Sequence, residues 1–216
     1  MDTAENLSAS VAGYHYHDAE LNCSHQYILP AVLKILADPA YNNKSGGKRI
    51  FDLGCGNGAM LRELARLGWE GVGVDPSEEG TSHAKQATPE LNIELGNGYE
   101  DLTGRFGQFP FVLCLEVIEH VYFPRKVAAC IRSLLEDGGT AIISTPYHGF
   151  LKNLAIAVCG KFDTHWGPLT DHGHIKFWSI PTLTALLREV GFREVTFLRV
   201  GRIPVLAKSM IAIARR

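Results

Sequence analysis

Apolar residues along the chain keep two alternating rhythms. Short, nearly continuous runs read as buried strands: "RIFDL", "WEGVGVD", "LNIELG", "FPFVLCLE", "TAIISTP", "FREVTFLRV" and "VLAKSMIAIA". Between them lie segments whose apolar positions recur every three or four residues. "AMLRELARLG" places Met60, Leu61, Leu64 and Leu67 on one side and closes on Gly68. A second helix starts at Ser77, a good N-cap, with Glu78 and Glu79 in the first turn. "RKVAACIRSLLED" and "IPTLTALLREVG" supply two more, and an opening helix runs through "LNCSHQYILPAVLKILAD" with Pro30 near its start or kinking it.

Strands separated by helices predict right-handed parallel crossovers with helices on both faces of one sheet. The last two strands are joined only by "GRIP", too short for a parallel return, so they pair antiparallel. The fold class is therefore α/β, doubly wound, with a mostly parallel seven-stranded sheet and an antiparallel last strand. Residues 1–47 form an N-terminal arm and helix, frayed at its polar start, with "YNNKSGGK" a loop. Residues 48–216 form the main domain. Residues 147–178 break the alternation as a long insert just past the end of the fifth strand, where doubly wound folds bind ligands.

Composition narrows the classes. Hydrophobic residues make up 46% and charged residues 20%, and the net charge is −2, which argues against a global nucleic-acid or membrane field. Five scattered cysteines without a C-x-x-C pair argue for a reducing compartment; Cys114 and Cys130 read as inert core. No secretory leader and no apolar run of spanning length is visible, which makes the cytoplasm the expected location.

The chemistry concentrates at "FDLGCGNG" and "GVGVDPS". Gly54, Gly56 and Gly58 follow a strand and precede a helix, letting backbone approach a ligand closely. Asp75, ending the second strand, suits a ribose diol. That spacing fits a dinucleotide as well, so Asp52 decides. A carboxylate there repels a pyrophosphate and attracts the amino group and sulfonium of S-adenosylmethionine.

With these motifs the chain resembles the class I S-adenosylmethionine-dependent methyltransferases, whose Rossmann-like sheet closes with an extra antiparallel strand. The resemblance implies that Asp52, Gly54, Cys55, Gly56 and Gly58 hold the methionine end and that Asp75, Pro76 and Ser77 hold the ribose. "GNGYEDL" matches the adenine loop, with contacts from Asn97 and the backbone of Gly98 or Tyr99, although aspartate is usual where Asn97 stands. Leu115 and Glu116 fall where the fourth strand meets the cofactor.

Past that strand, "LEVIEHV" offers Glu116, Glu119 and His120. Two carboxylates and an imidazole suit a divalent cation such as magnesium or zinc, and His120 alone suits a general base. Against both stands the bland reading, in which Glu116 meets ribose or water, Glu119 caps a helix and His120 packs. The stretch is similar to ubiquinone-biosynthesis O-methyltransferases and to small-RNA 2′-O-methyltransferases, both of which carry E-x-x-E-H and a later histidine before "K-F". That resemblance implies Glu116, Glu119, His120 and His174 as metal ligands, with His172 the alternative to His174. Without metal, His120 or His174 takes the proton.

The expected activity is methyl transfer to a hydroxylated small molecule. Nitrogen, carbon or RNA acceptors, a silent methyltransferase-fold partner and a nucleotide-dependent oxidoreductase are the competing readings. Residues 148–162 place Phe150, Leu151, Leu154 and Val158 on one helical face, either a lid over the site or a peripheral membrane contact. Tyr14 or His17 of the early "YHYH" is a candidate to reach the cofactor. The sequence leaves the acceptor atom and the oligomeric state open.

Overall fold

The computed structural model describes residues 15–41, 47–170 and 173–216. Tyr14, His172, the polar start of the arm and most of the "YNNKSGGK" loop lie outside the described residues. Seven strands form one sheet in the order β3-β2-β1-β4-β5-β7-β6. They are β1 (Arg49–Leu53), β2 (Glu70–Asp75), β3 (Asn92–Leu95), β4 (Phe109–Leu115), β5 (Leu135–Pro146), β6 (Glu194–Val200) and β7 (Ser209–Arg215). β1 to β5 run parallel, and β7 is antiparallel to both β5 and β6. The hairpin that the short "GRIP" connection demands is thus present, holding one 3₁₀ turn, Pro204–Leu206.

The two-residue period of the strands sorts their side chains to opposite faces. Phe51, Leu53, Val112, Cys114, Ile143 and Ala212 pack on one side. Ile50, Phe111, Leu113, Ile142, Ile211 and Ile213 pack on the other. Helices α1 (His25–Ala37) and α2 (Ala59–Arg66) close the second face; α5 (Pro124–Leu134) and α8 (Ile180–Glu189) close the first. Between these pairs come α3 (Glu78–Ala87), α4 (Leu102–Phe106), α6 (Phe150–Val158) and α7 (Phe162–Trp166). Ser77 caps α3 as expected, its hydroxyl accepting from Gly80 N at 3.0 Å. Pro30 sits inside α1.

Two local expectations change, and α4 and the insert add features that the sequence pattern left open. Leu67 lies beyond the end of α2 and is 50% exposed, while Met60, Leu61 and Leu64 are buried. The helix expected over 125–137 stops at Leu134, because Leu135 pairs with Phe109 and the chain turns at Gly138 in a left-handed conformation. α4 carries too few residues to show a period; Asp101 starts it by accepting from Gly104 N at 3.0 Å. In the insert, α6 turns its apolar positions outward. Phe150 and Val158 are 78% and 79% exposed, whereas Lys152 is buried.

Candidate active site

The carboxyl ends of β1, β2, β4 and β5 meet at one edge of the sheet, and the chemistry-bearing residues converge there. β1 ends at Leu53 and the turn through Gly54, Gly56 and Gly58 follows, all three glycines at positive φ. Gly56 requires it twice over, because a Cβ there would also strike the Tyr16 hydroxyl. Asp75 holds the turn to β2, one carboxylate oxygen accepting from Gly56 N and the other from Ser77 N, each at 2.8 Å. Cys55 is buried, and its sulfur packs where Gly73 leaves room.

Asp52 and Asp75 are both buried, and burial raises both carboxyl groups above the ordinary range. For Asp52 the neighbouring Asp75 charge adds to burial and brings it to about 7. Two carboxylates packed against a bare turn form an environment that a cationic ligand relieves.

An arm residue covers this turn, and it is Tyr16 that does so. Its ring also lies against Gly80, where a Cβ would approach to 2.9 Å. Tyr16 N donates to Glu79 Oε2 at 3.0 Å, with His15 Nδ1 3.4 Å from the same oxygen. Asn57 fastens the arm, donating to the carbonyls of Asp18 at 2.8 Å and Glu20 at 3.0 Å. His17 is exposed.

In the proposed adenine loop, Asn97 spends its side chain locally. Its oxygen accepts from Tyr99 N at 2.9 Å and its nitrogen donates to Glu100 at 2.7 Å. Gly98 sits over Val127 and Leu53. Tyr99 packs edge-on against Phe123.

At the end of β4 the structure divides the expected metal set. Glu116 adopts a left-handed backbone, φ 55°, which strains a residue with a side chain. The strain is held by Ser144, whose carbonyl and hydroxyl accept from Glu116 N at 3.1 and 3.0 Å. Its carboxylate accepts from Ser144 Oγ at 2.8 Å and from Ser209 Oγ at 3.2 Å. Burial lifts this carboxyl to about 7, against the opposing pull of both serines and the Lys152 charge. Glu116 therefore belongs to a serine and lysine network.

Glu119, His120 and His174 come together instead, with ligand atoms within 4.8 Å of one another. The cause is backbone docking: Glu119 O accepts from Ile175 N at 2.9 Å and from Lys176 N at 3.0 Å. Trp178 Nε1 adds a bond to Ile118 O at 3.1 Å. These bonds bring the His174 ring 4.8 Å from that of His120, steeply tilted. Both Glu119 oxygens are fully buried with no hydrogen-bond partner among the described residues; Thr145 approaches without hydrogen-bond geometry. Burial, followed by the Glu116 charge, raises this carboxyl well above its usual value. Burial likewise holds His174 down to about 4, which leaves its imidazole neutral at pH 7. One carboxylate and two imidazoles, with an orphaned buried acid among them, fit a divalent cation or a hydroxyl that must lose its proton.

The family model described as a methyltransferase domain matches residues 23–196. Among curated proteins, a ubiquinone biosynthesis O-methyltransferase of Dinoroseobacter shibae is 33% identical over 157 residues, covering 71% of this chain. The match spans 63% of that relative's length. Among solved structures, an O-methyltransferase family protein from Burkholderia thailandensis has a TM-score of 0.64 at 17% identity, covering 87% of this chain and 55% of its own. An S-adenosylmethionine dependent methyltransferase from Mesorhizobium loti also has a TM-score of 0.64, at 20% identity, covering 87% of this chain and 96% of its own. At such identities the structural likeness bears on the fold alone.

Proposed function

We propose that this chain, which belongs to the methyltransferase-domain family, is a class I S-adenosylmethionine-dependent methyltransferase that methylates a hydroxyl of a small-molecule acceptor. The observation that carries this reading is the buried, unpartnered Glu119 carboxylate set against His120 and His174 at the end of β4. Its relatives' names, ubiquinone biosynthesis O-methyltransferase, point the same way.

Bound, S-adenosylmethionine supplies an electrophilic methyl group on a sulfonium. The remaining work falls to the chain. In this reading Asp52 faces the cationic methionine end across the bare turn of Gly54, Cys55, Gly56 and Gly58. Asp75, fixed by Gly56 N and Ser77 N, keeps lone pairs for the ribose hydroxyls, beside Pro76. The backbone of Gly98 and Tyr99, rather than the engaged Asn97 side chain, borders adenine, and Leu115 with Glu116 closes the floor. His120 or His174 accepts the proton that the acceptor hydroxyl loses as its oxygen takes the methyl group. Alignment and proton removal are the two contributions such a site makes.

Glu119, His120 and His174 would hold a divalent cation, magnesium or zinc, whose chemistry is to lower the pKa of a hydroxyl. Glu116 is turned away from that set and is a supporting residue in this reading. Removing His120 tests the base. His120→Ala should lower the rate of labelled methyl transfer by roughly 10²–10⁴-fold while S-adenosylhomocysteine binds as before. Wild-type turnover in that variant would overturn the assignment. EDTA should abolish activity if the cation is required, and activity undiminished by EDTA would remove the cation from the account.

The outward apolar face of α6, with Phe150, Leu151, Leu154 and Val158 exposed, favours a second element: peripheral contact with an apolar surface that carries a lipid-like acceptor. No helix among the described residues is long and apolar enough to cross a membrane. Co-sedimentation with liposomes, lost in Phe150→Ser with Val158→Ser, tests this.

A further inference from the structure

The tripeptide Gly-Asn-Gly occurs twice in the chain, at 56–58 and at 96–98, and these hold its two Asn-Gly pairs. An asparagine before glycine is open to attack on its own side chain, because no Cβ on the next residue shields the backbone nitrogen that attacks. The fold gives the two copies opposite settings. Asn57 is buried, its side-chain nitrogen donates to the carbonyls of Asp18 and Glu20, and Gly58 N donates to Cys55 O at 2.9 Å. Attacking nitrogen and leaving nitrogen are therefore both tied. Asn97 stands half-buried in the loop after β3, and Gly98 N makes no hydrogen bond among the described residues.

The Asn97 side-chain oxygen accepts from Tyr99 N at 2.9 Å. A fixed N–H there stabilises the negative charge that grows on this oxygen when its carbon is attacked. Packing keeps glycine at 98, since a Cβ would come within 3.1 Å of Val127 and 3.4 Å of Leu53. The loop is also wired to its surroundings. Gly96 N donates to Asp75 O at 3.2 Å, and Glu100 accepts from Asn97 Nδ2 at 2.7 Å and from Arg105 Nη1 at 3.0 Å. A carboxylate at 97 would replace the first of these donors with a like charge facing Glu100.

We propose that Asn97 is a self-modification site, at which spontaneous deamidation weakens the hold of this loop on the cofactor. Gly98 N attacks Asn97 Cγ to close a succinimide ring. The Cγ–Nδ2 bond breaks, and the side-chain nitrogen leaves as ammonia with the proton that Gly98 N gives up. Water then opens the ring at either carbonyl, leaving aspartate or isoaspartate. Isoaspartate runs the backbone through Cγ and lengthens it by one carbon, just where Gly98 packs against Val127 and Leu53. The modification itself needs only water. Its effect on the cofactor rests on the reading above in which Gly98 and Tyr99 border adenine.

Peptide mass spectrometry of the full chain, held at mildly alkaline pH, follows the amide-to-acid exchange at both sites. Asn97 should convert about tenfold faster than Asn57, the factor of one hydrogen bond that must open at 57 alone. In urea the two tripeptides should convert at similar rates. Titration of the incubated protein should show S-adenosylhomocysteine affinity reduced roughly five- to tenfold in the converted fraction. Asn97→Gln, whose longer side chain would have to close a larger ring, should neither convert nor lose affinity over the same time. Equal rates at the two sites in the folded chain, or an Asn97 that stays intact while the urea control converts, overturns the proposal. Incubation with S-adenosylhomocysteine present separates this from the reading beneath it, because bound ligand should slow conversion at Asn97. If Asn97 converts quickly but the ligand neither slows it nor binds less tightly afterwards, the adenine-loop placement fails, and with it the effect on the cofactor, while the modification site stands.

Discussion

The proposed choice of cofactor rests on Asp52 and Asp75. Burial and the Asp75 charge lift the Asp52 carboxyl to about 7, so below that pH a bound cation must displace a proton. S-adenosylmethionine affinity should therefore rise with pH up to about 7 and level off above it. Calorimetry in buffers of differing ionisation enthalpy checks the proton release, and Asp52→Asn should flatten the profile and weaken binding roughly ten- to hundredfold. A flat wild-type profile would contradict the role. Folding stability is a poorer readout. A folded pKa raised from 3.8 to about 7 means that Asp52's contribution falls as pH rises through that window. His148 and His174, held near 4 from 6.5, act in the opposite direction between those values. Asp52 itself was legible in the sequence because it sits two residues from a glycine turn. His148 was not, since nothing in "STPYHGF" marks an imidazole that will be buried without a hydrogen-bond partner among the described residues. Its position just past a strand end was the available signal.

Elements show where local pattern stops informing. The spacing of Phe150, Leu151, Leu154 and Val158 correctly forms one face of α6, but periodicity cannot say what that face meets. The structure turns it outward and takes Lys152 inward, where Nζ donates to Tyr147 O at 2.8 Å and to Lys208 O at 3.4 Å. Burial then brings the ammonium down to about 8. The meeting of His174 with Glu119 and His120 was likewise beyond local pattern, because the bonds that place His174 run from residues 175 and 176 to Glu119 O. Tyr16 and Asn57 belong to the same class: an arm far from the turn in sequence is fastened over it. Asn57→Ala removes two hydrogen bonds from that strap. It should speed S-adenosylhomocysteine release about five- to tenfold in stopped-flow experiments. Unchanged release would show that the strap does not gate the cleft.

At the scale of the whole molecule, the doubly wound sheet explains why residues so far apart in sequence act together. Parallel β1, β2, β4 and β5 all end at one edge, and each end delivers a different part of the candidate site: the glycine turn, the buried Asp75, the acid–imidazole set and the buried His148. The alternation of strands and helices and the short last connection made this architecture readable in advance. The bulged start of β5 and the five-residue α4 escaped because both depend on non-local pairing or on capping in too few residues to show a period.

The most direct test is a crystal structure of the full chain with S-adenosylhomocysteine. The account places Asp52 at the amino group and Asp75 at the ribose diol. An imidazole of His120 or His174 should lie within roughly 7 Å of the sulfur, the reach of one acceptor oxygen between base and methyl group. A sulfur facing away from the end of β4, with both imidazoles beyond that reach, would contradict it.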